Sequence, residues 1–152
     1  MKRIAMSWQA IRSGTMIGAL GLLLFCNAAS ALNLPDPMEQ EILVKSTLMT
    51  FNDANETDNY SVLLASSAKP FRDQFTAEKL TAIFKPFRDK NVDIKMVVGM
   101  AMKPTGAPEI NNDGVLRLRG YFETKPKHVV YDLKFIQSDG VWKPIGIHVA
   151  TE

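Results

Sequence analysis

The sequence predicts an α+β fold: N-terminal helices packed on the concave face of a curved antiparallel sheet, a cone of about three helices and four main strands. Three observations predict it. Apolar residues recur at helical spacing as far as Phe87. After Asn91 the apolar period shortens from 3.6 to 2. Turn signals at Lys125-Pro126 and Ser138-Asp139-Gly140 then cut the alternating stretch into consecutive hairpins.

The chain opens on a segment expected to be removed. Lys2, Arg3 and Arg12 form a positive start, Met16 to Cys26 is an apolar run, and Ala29-Ser30-Ala31 is a small-x-small cleavage pattern. The run is shorter than the about 20 residues that span a bilayer, so residues 1–31 read as a secretory signal. Residues 32–152 then form a single periplasmic or secreted domain with no transmembrane segment. A lipobox wants a small residue before its cysteine, and Phe25 is not one. Cleavage near Ala31 is therefore expected rather than lipidation at Cys26.

The leader holds three of the 18 basic residues and none of the 16 acidic ones. The remainder carries 15 against 16, a formal charge of −1. A near-neutral domain has no electrostatic footprint for nucleic acid, which excludes that class of partner. The single cysteine lies in the leader, so the domain is held by packing without disulfides.

Asp36, Pro37 and Glu39 give an N-cap, a first-turn proline and a capping box. Val44, Leu48 and Phe51 follow on one helical face, and Asn52 to Thr57 reads as a polar break. A short second helix is expected from Asp58, with Tyr60, Leu63 and Leu64 inward. Ser66 to Gln74 reads as irregular. Thr76 caps a third helix, Phe75 can staple onto Leu80, and Leu80, Ile83, Phe84 and Phe87 give its buried stripe. Pro86 should end or kink it.

Four strands are expected next. Ile94, Met96, Val98, Met100 and Met102 alternate with more polar residues in the first, and Lys103 to Gly114 is a loop. Leu116, Leu118, Gly120 and Phe122 alternate in the second; Val129, Tyr131, Leu133 and Phe135 in the third; Ile145, Ile147 and Val149 in the fourth. A tight turn at Lys125-Pro126 sets Phe122 opposite Val129, Leu118 opposite Leu133, and Arg119 opposite Asp132. A three-residue loop at Ser138-Asp139-Gly140 would keep Leu133–Ile145 and Tyr131–Ile147 on one face, because a one-residue slip flips every side chain. Pro144 cannot donate to a ladder, so the last strand is expected to be an edge or bulged there.

Helices followed by a meander closing on Asp139-Gly140-Val141-Trp142-Lys143-Pro144-Ile145-x-Ile147-x-Val149 resemble the nuclear transport factor 2-like superfamily, with its cystatin-like cone. The resemblance spans Asp36 to Val149. It is closest to exported bacterial members of unassigned function that carry a Phe-Arg-x-x-Phe-Thr-x-Glu-x-Leu stretch, here Phe71 to Leu80. Enzymes of that superfamily project an Asp or His with polar partners into the cone. The inward strand positions here hold only Tyr131 with a polar tip, while Asp132, His128 and His148 fall elsewhere. No catalytic residue, metal ligand or cofactor is expected.

The resemblance and the apolar interior imply a non-catalytic binding module. A small apolar or amphipathic ligand would sit in the cone, lined by Tyr60, Met96, Met100, Tyr131 and Phe135. The alternative is a homodimer or an envelope-complex subunit, using Arg117, Arg119, Tyr121, Asp132, Trp142 and His148 on the outer sheet face. An isomerase or dehydratase is the third reading. Lys-Pro-Phe-Arg-Asp occurs twice, at Lys69 to Asp73 and Lys85 to Asp89. Either these are basic corners for an acidic partner or lipid headgroups, or proline simply ends elements there.

Overall fold

The computed structural model describes residues 33–152; the expected leader, its cleavage site and Cys26 lie outside them. The fold is α+β, with five helices ahead of a five-stranded antiparallel curved sheet. The helices are α1 (Pro37–Thr57), α2 (Ser61–Ser66), α3 (Lys69–Gln74), α4 (Ala77–Ile83) and α5 (Lys85–Asp89). A 3-10 turn at Lys95–Gly99 leads to β1 (Lys103–Pro104), β2 (Glu109–Ile110), β3 (Leu116–Phe122), β4 (Val129–Ser138) and β5 (Val141–Thr151). The sheet runs β1-β3-β4-β5, and β2 also pairs with β3.

The α1 start is as the sequence predicts: Asp36 accepts from the Glu39 N–H at 2.8 Å and Pro37 opens the helix. Its end is not. Asn52 to Thr57 continue the helix, because Asn52 and Asn55 find buried partners instead of water. Asn52 accepts from the Ile94 N–H at 2.9 Å, and Asn55 donates to the Phe51 carbonyl at 3.0 Å. Asp58 ends α1 in the left-handed region at φ 50°. The second helix therefore starts at Ser61, three residues after a left-handed stop.

The stretch expected to be irregular contains α3. It and α5 are built by the same five residues in the same way. Each begins Lys-Pro with proline in the first turn, each closes a Lys–Asp ion pair four residues apart, and each sends its arginine back to a carbonyl. The repeated motif is thus a helix-starting unit whose lysines are already paired. Pro86 opens α5 immediately after α4 ends.

The expected strand at Ile94 to Met102 is a 3-10 turn. Burial follows a period of three there: Ile94 and Val97 are buried and Met100 is part-buried, while Met96 and Val98 point to solvent. The loop before β3 contributes the two-residue strands β1 and β2, which cover the free side of β3.

The β3–β4 register is as predicted at every named pair, with Phe122 opposite Val129, Leu118 opposite Leu133 and Arg119 opposite Asp132. The β4–β5 hairpin corrects the prediction. Ser138 pairs with Val141, so the loop is two residues, Asp139 and Gly140, at φ 57° and 76°. Asp-Gly suits that double left-handed turn. Alternation is rescued further on, by a bulge between Lys134 and Phe135 that leaves Ile145 unpaired just after Pro144. Beyond it Leu133 faces Ile147 and Tyr131 faces Val149. β5 is an edge and is bulged beside its proline, as expected. The shift also moves Trp142 onto the core face, correcting its expected place outside.

The core lies between α1 and the sheet. Val44, Leu48 and Phe51 from α1 and Leu116, Phe122, Leu133 and Phe135 from the strands are at most 1% exposed.

Candidate functional site

An apolar hollow lies along the free side of β5. Its walls come from local rules. Ala68 donates its N–H to the Pro144 carbonyl at 2.9 Å, which pins the start of α3 against the edge strand. Phe71, near the start of α3, meets Phe75 just past its end, with ring centroids 4.7 Å apart. Thr76 then caps α4 by accepting from the Lys79 N–H at 3.3 Å. That cap sets the helix phase, so Leu80, Ile83 and Phe84 face β5. Opposite them, Ile145, Ile147 and Val149 form the strand wall, with Ile145 the unpaired residue of the bulge.

The groove encloses about 360 Å³, within the range of small-molecule pockets. Its lining is apolar except for Gln74 and His148. Leu80 is buried at the base, whereas Ile83 is 51% exposed on the rim.

The residues expected to line a cone cavity do not meet in one hollow among the described residues. Tyr60 is buried in a polar junction: its hydroxyl donates to Asn55 Oδ1 at 2.6 Å and accepts from Arg88 Nη1 at 2.8 Å. Arg88 Nη2 also donates to the Thr81 carbonyl at 2.7 Å, and its Nε lies 3.4 Å from Asp58. Burial raises the Tyr60 hydroxyl above its ordinary range, while the Arg88 charge acts against that rise. Tyr131 lies across Gly120, and burial pushes its hydroxyl well above the usual tyrosine range. It borders a space of about 20 Å³ shared with Gln40, Met102 and Arg119, room for roughly one water. Phe135 packs at the far end beside Trp142 and Thr47. Met96 is 53% exposed on the 3-10 turn, and Met100 only flanks the core.

Five of the six expected interface residues do share the outer face. Arg119, Asp132 and His148 lie in one row across β3, β4 and β5. The ion pair, however, is Arg117 to Asp132, two hydrogen bonds from one guanidinium. That bond holds the Asp132 carboxyl below the usual aspartate range. Arg119 sits 3.8 Å from Glu109 and is 40% exposed in its side chain. Tyr121 stacks on His128 with centroids 5.2 Å apart. Trp142 is absent from this face.

A second, polar hollow of about 330 Å³ lies beside Arg88, bordered by Asn55, Glu56, Asp58 and Asp93. Glu56 is bonded there to Lys95. Among the described residues no group of three His, Cys, Asp or Glu is placed to hold a metal, and no helix is long and apolar enough to cross a membrane.

The chain matches no protein-family model, no curated protein and no solved structure. The groove residues were each legible as apolar positions in the sequence. What sequence periodicity does not carry is their assembly, because Phe71 lies in a stretch that reads as irregular and the apolar spacing gives no sign of the bulge at Ile145.

Proposed function

We propose that this chain is an exported binding module of the nuclear transport factor 2-like kind, holding a small apolar or amphipathic ligand. The groove between α3–α4 and β5 carries the reading. It is a preformed apolar surface of ligand size with two polar groups at its border, the usual make-up of a small-molecule site. Ile83 supports it further: a large aliphatic side chain half exposed beside buried Leu80 leaves apolar area uncovered. The seat is this groove rather than the cone interior, where Tyr131 and Phe135 are packed. Export is supported by the leader pattern in residues 1–31.

Native mass spectrometry of the protein recovered gently from its exported location tests this. A retained mass of a few hundred daltons, lost in Ile83→Glu, is the expected result. A bare monomer that takes up no apolar probe refutes the reading. A bare dimer, or a complex with another protein, instead favours the outer face. Arg119 is the natural contact there, since its guanidinium is half exposed and only loosely held by Glu109.

A further inference from the structure

We propose that the groove is specific for an anionic amphiphile, a long-chain carboxylate whose head is received by Lys79; this rests on the groove being a binding site. Two observations put the Lys79 ammonium beside Gln74, next to the groove lining rather than within it. Lys79 lies four residues before Ile83 on α4, so both side chains share one helical stripe. Its Nζ donates to the Gln74 carbonyl at 3.2 Å, and Gln74 is one of the two polar groups bordering the groove.

The charge there is unbalanced. Lys45, Lys69, Lys85, Lys95 and Lys143 each lie within ion-pair distance of a carboxylate, whereas Lys79, like several other surface lysines, has none among the described residues and bonds only the neutral Gln74 carbonyl. Glu78, its neighbour, falls about 200° around the helix from Leu80 and so on the side away from the groove. An ammonium with donors to spare therefore lies beside Gln74 at the border of the apolar groove. An alkyl chain fits the walls, and a carboxylate matches that end in both charge and hydrogen bonding.

The test is calorimetric titration of the purified protein at pH 8 with dodecanoate, dodecanol and dodecyltrimethylammonium. These share a chain length and differ in head charge. Dodecanoate is expected to bind tightest. Lys79→Glu should weaken it about five- to tenfold, because an attraction is replaced by a repulsion at a partly exposed site, and should leave dodecanol within about twofold. Raising the salt to about 0.5 M should narrow the dodecanoate preference. Lys79→Met controls for the charge reversal and should bring dodecanoate and dodecanol together. Equal binding of dodecanoate and dodecanol by the native protein, unchanged by Lys79→Glu, overturns the head assignment and leaves the groove standing. Failure of all three to bind, or binding indifferent to Ile83→Glu, overturns the groove itself and this inference with it.

Discussion

Arg88 ties four segments together, and its removal gives the sharpest test of the helical layer. The guanidinium joins α5 to Tyr60, to Thr81 on α4 and to Asp58 at the end of α1. Thr81 is in the last turn of α4, where a carbonyl has no partner within the helix, so Arg88 caps that end. Its side chain is 18% exposed, so these bonds are mostly shielded from water. Arg88→Met keeps the aliphatic stem and removes every donor. Bonds from a charged donor are each worth about 1.5–3 kcal/mol. The Asp58 contact adds less than about 1 kcal/mol, because Asp58 is largely solvated. Tyr60 keeps its bond to Asn55, which limits the loss on that side. The expected destabilisation is about 2–4 kcal/mol, read from urea unfolding at unchanged slope. Arg88→Lys should recover little of it, since an ammonium cannot reach two acceptors in a fork. In a cycle with Tyr60→Phe the coupling should be about 1 kcal/mol. A loss below about 0.5 kcal/mol for Arg88→Met, or full rescue by lysine, would refute the assignment of these bonds as structural.

Gly120→Ala should destabilise by about 1–3 kcal/mol, because the new Cβ would come closer than 3.0 Å to both the Lys103 carbonyl and the Tyr131 hydroxyl. Combining it with Tyr131→Phe should recover only part of this, since the backbone carbonyl cannot rotate away; unfolding curves of the single and double variants decide it. Asp132→Asn should cost about 1 kcal/mol at pH 7, as expected for a half-exposed bidentate pair. The folded-state carboxyl is depressed by Arg117, so its contribution is full above the unfolded value and fades as pH falls through the folded one. The native and Asn proteins should therefore converge in acid, and a stability gap that persists there would contradict the pairing. Trp142 is the single tryptophan after Ala31, so a protein that begins at Leu32 should fluoresce at short wavelength and resist acrylamide. Trp142→Ala should cost about 3–5 kcal/mol. Emission of a solvated indole would return Trp142 to the outer face.

The two hairpins show why sequence legibility stops where it does. The β3–β4 register follows from alternation alone, because no residue is inserted in either strand and one face is wholly apolar. In the β4–β5 pair two signals conflict. Asp139-Gly140 asks for a two-residue turn, and the apolar spacing asks for an odd shift. Lengthening the turn satisfies the spacing on paper. The chain instead keeps the favoured turn and inserts Ile145 beside Pro144, where the ladder is already broken. The mistaken strand at Ile94 to Met102 has a related origin. Ile94, Met96, Val98 and Met100 fit a period of two, while Ile94, Val97 and Met100 fit a period of three. Only the docking of this segment on α1, through the Ile94 N–H to Asn52 and Lys45 to the Val98 carbonyl, selects between them.

That same bulge links the fold to the proposed site. After the two-residue turn, a straight β5 with Trp142 on the core face would turn Ile145, Ile147 and Val149 together to the outer face. The insertion at Ile145 returns Ile147 and Val149 to the face of their partners Leu133 and Tyr131. The bond from Ala68 to the Pro144 carbonyl fixes α3 at the point of insertion. Helices as short as α3 and α4, six and seven residues, have little stability alone and persist by burying their apolar faces. Here they bury Phe71 and Leu80 and leave Ile83 half open above the edge strand. Stability alone gives no reason for that exposure, since a polar residue at the rim would serve the helix as well. An apolar rim beside Lys79, which has no carboxylate partner among the described residues, suits the proposed amphiphile with a negative head.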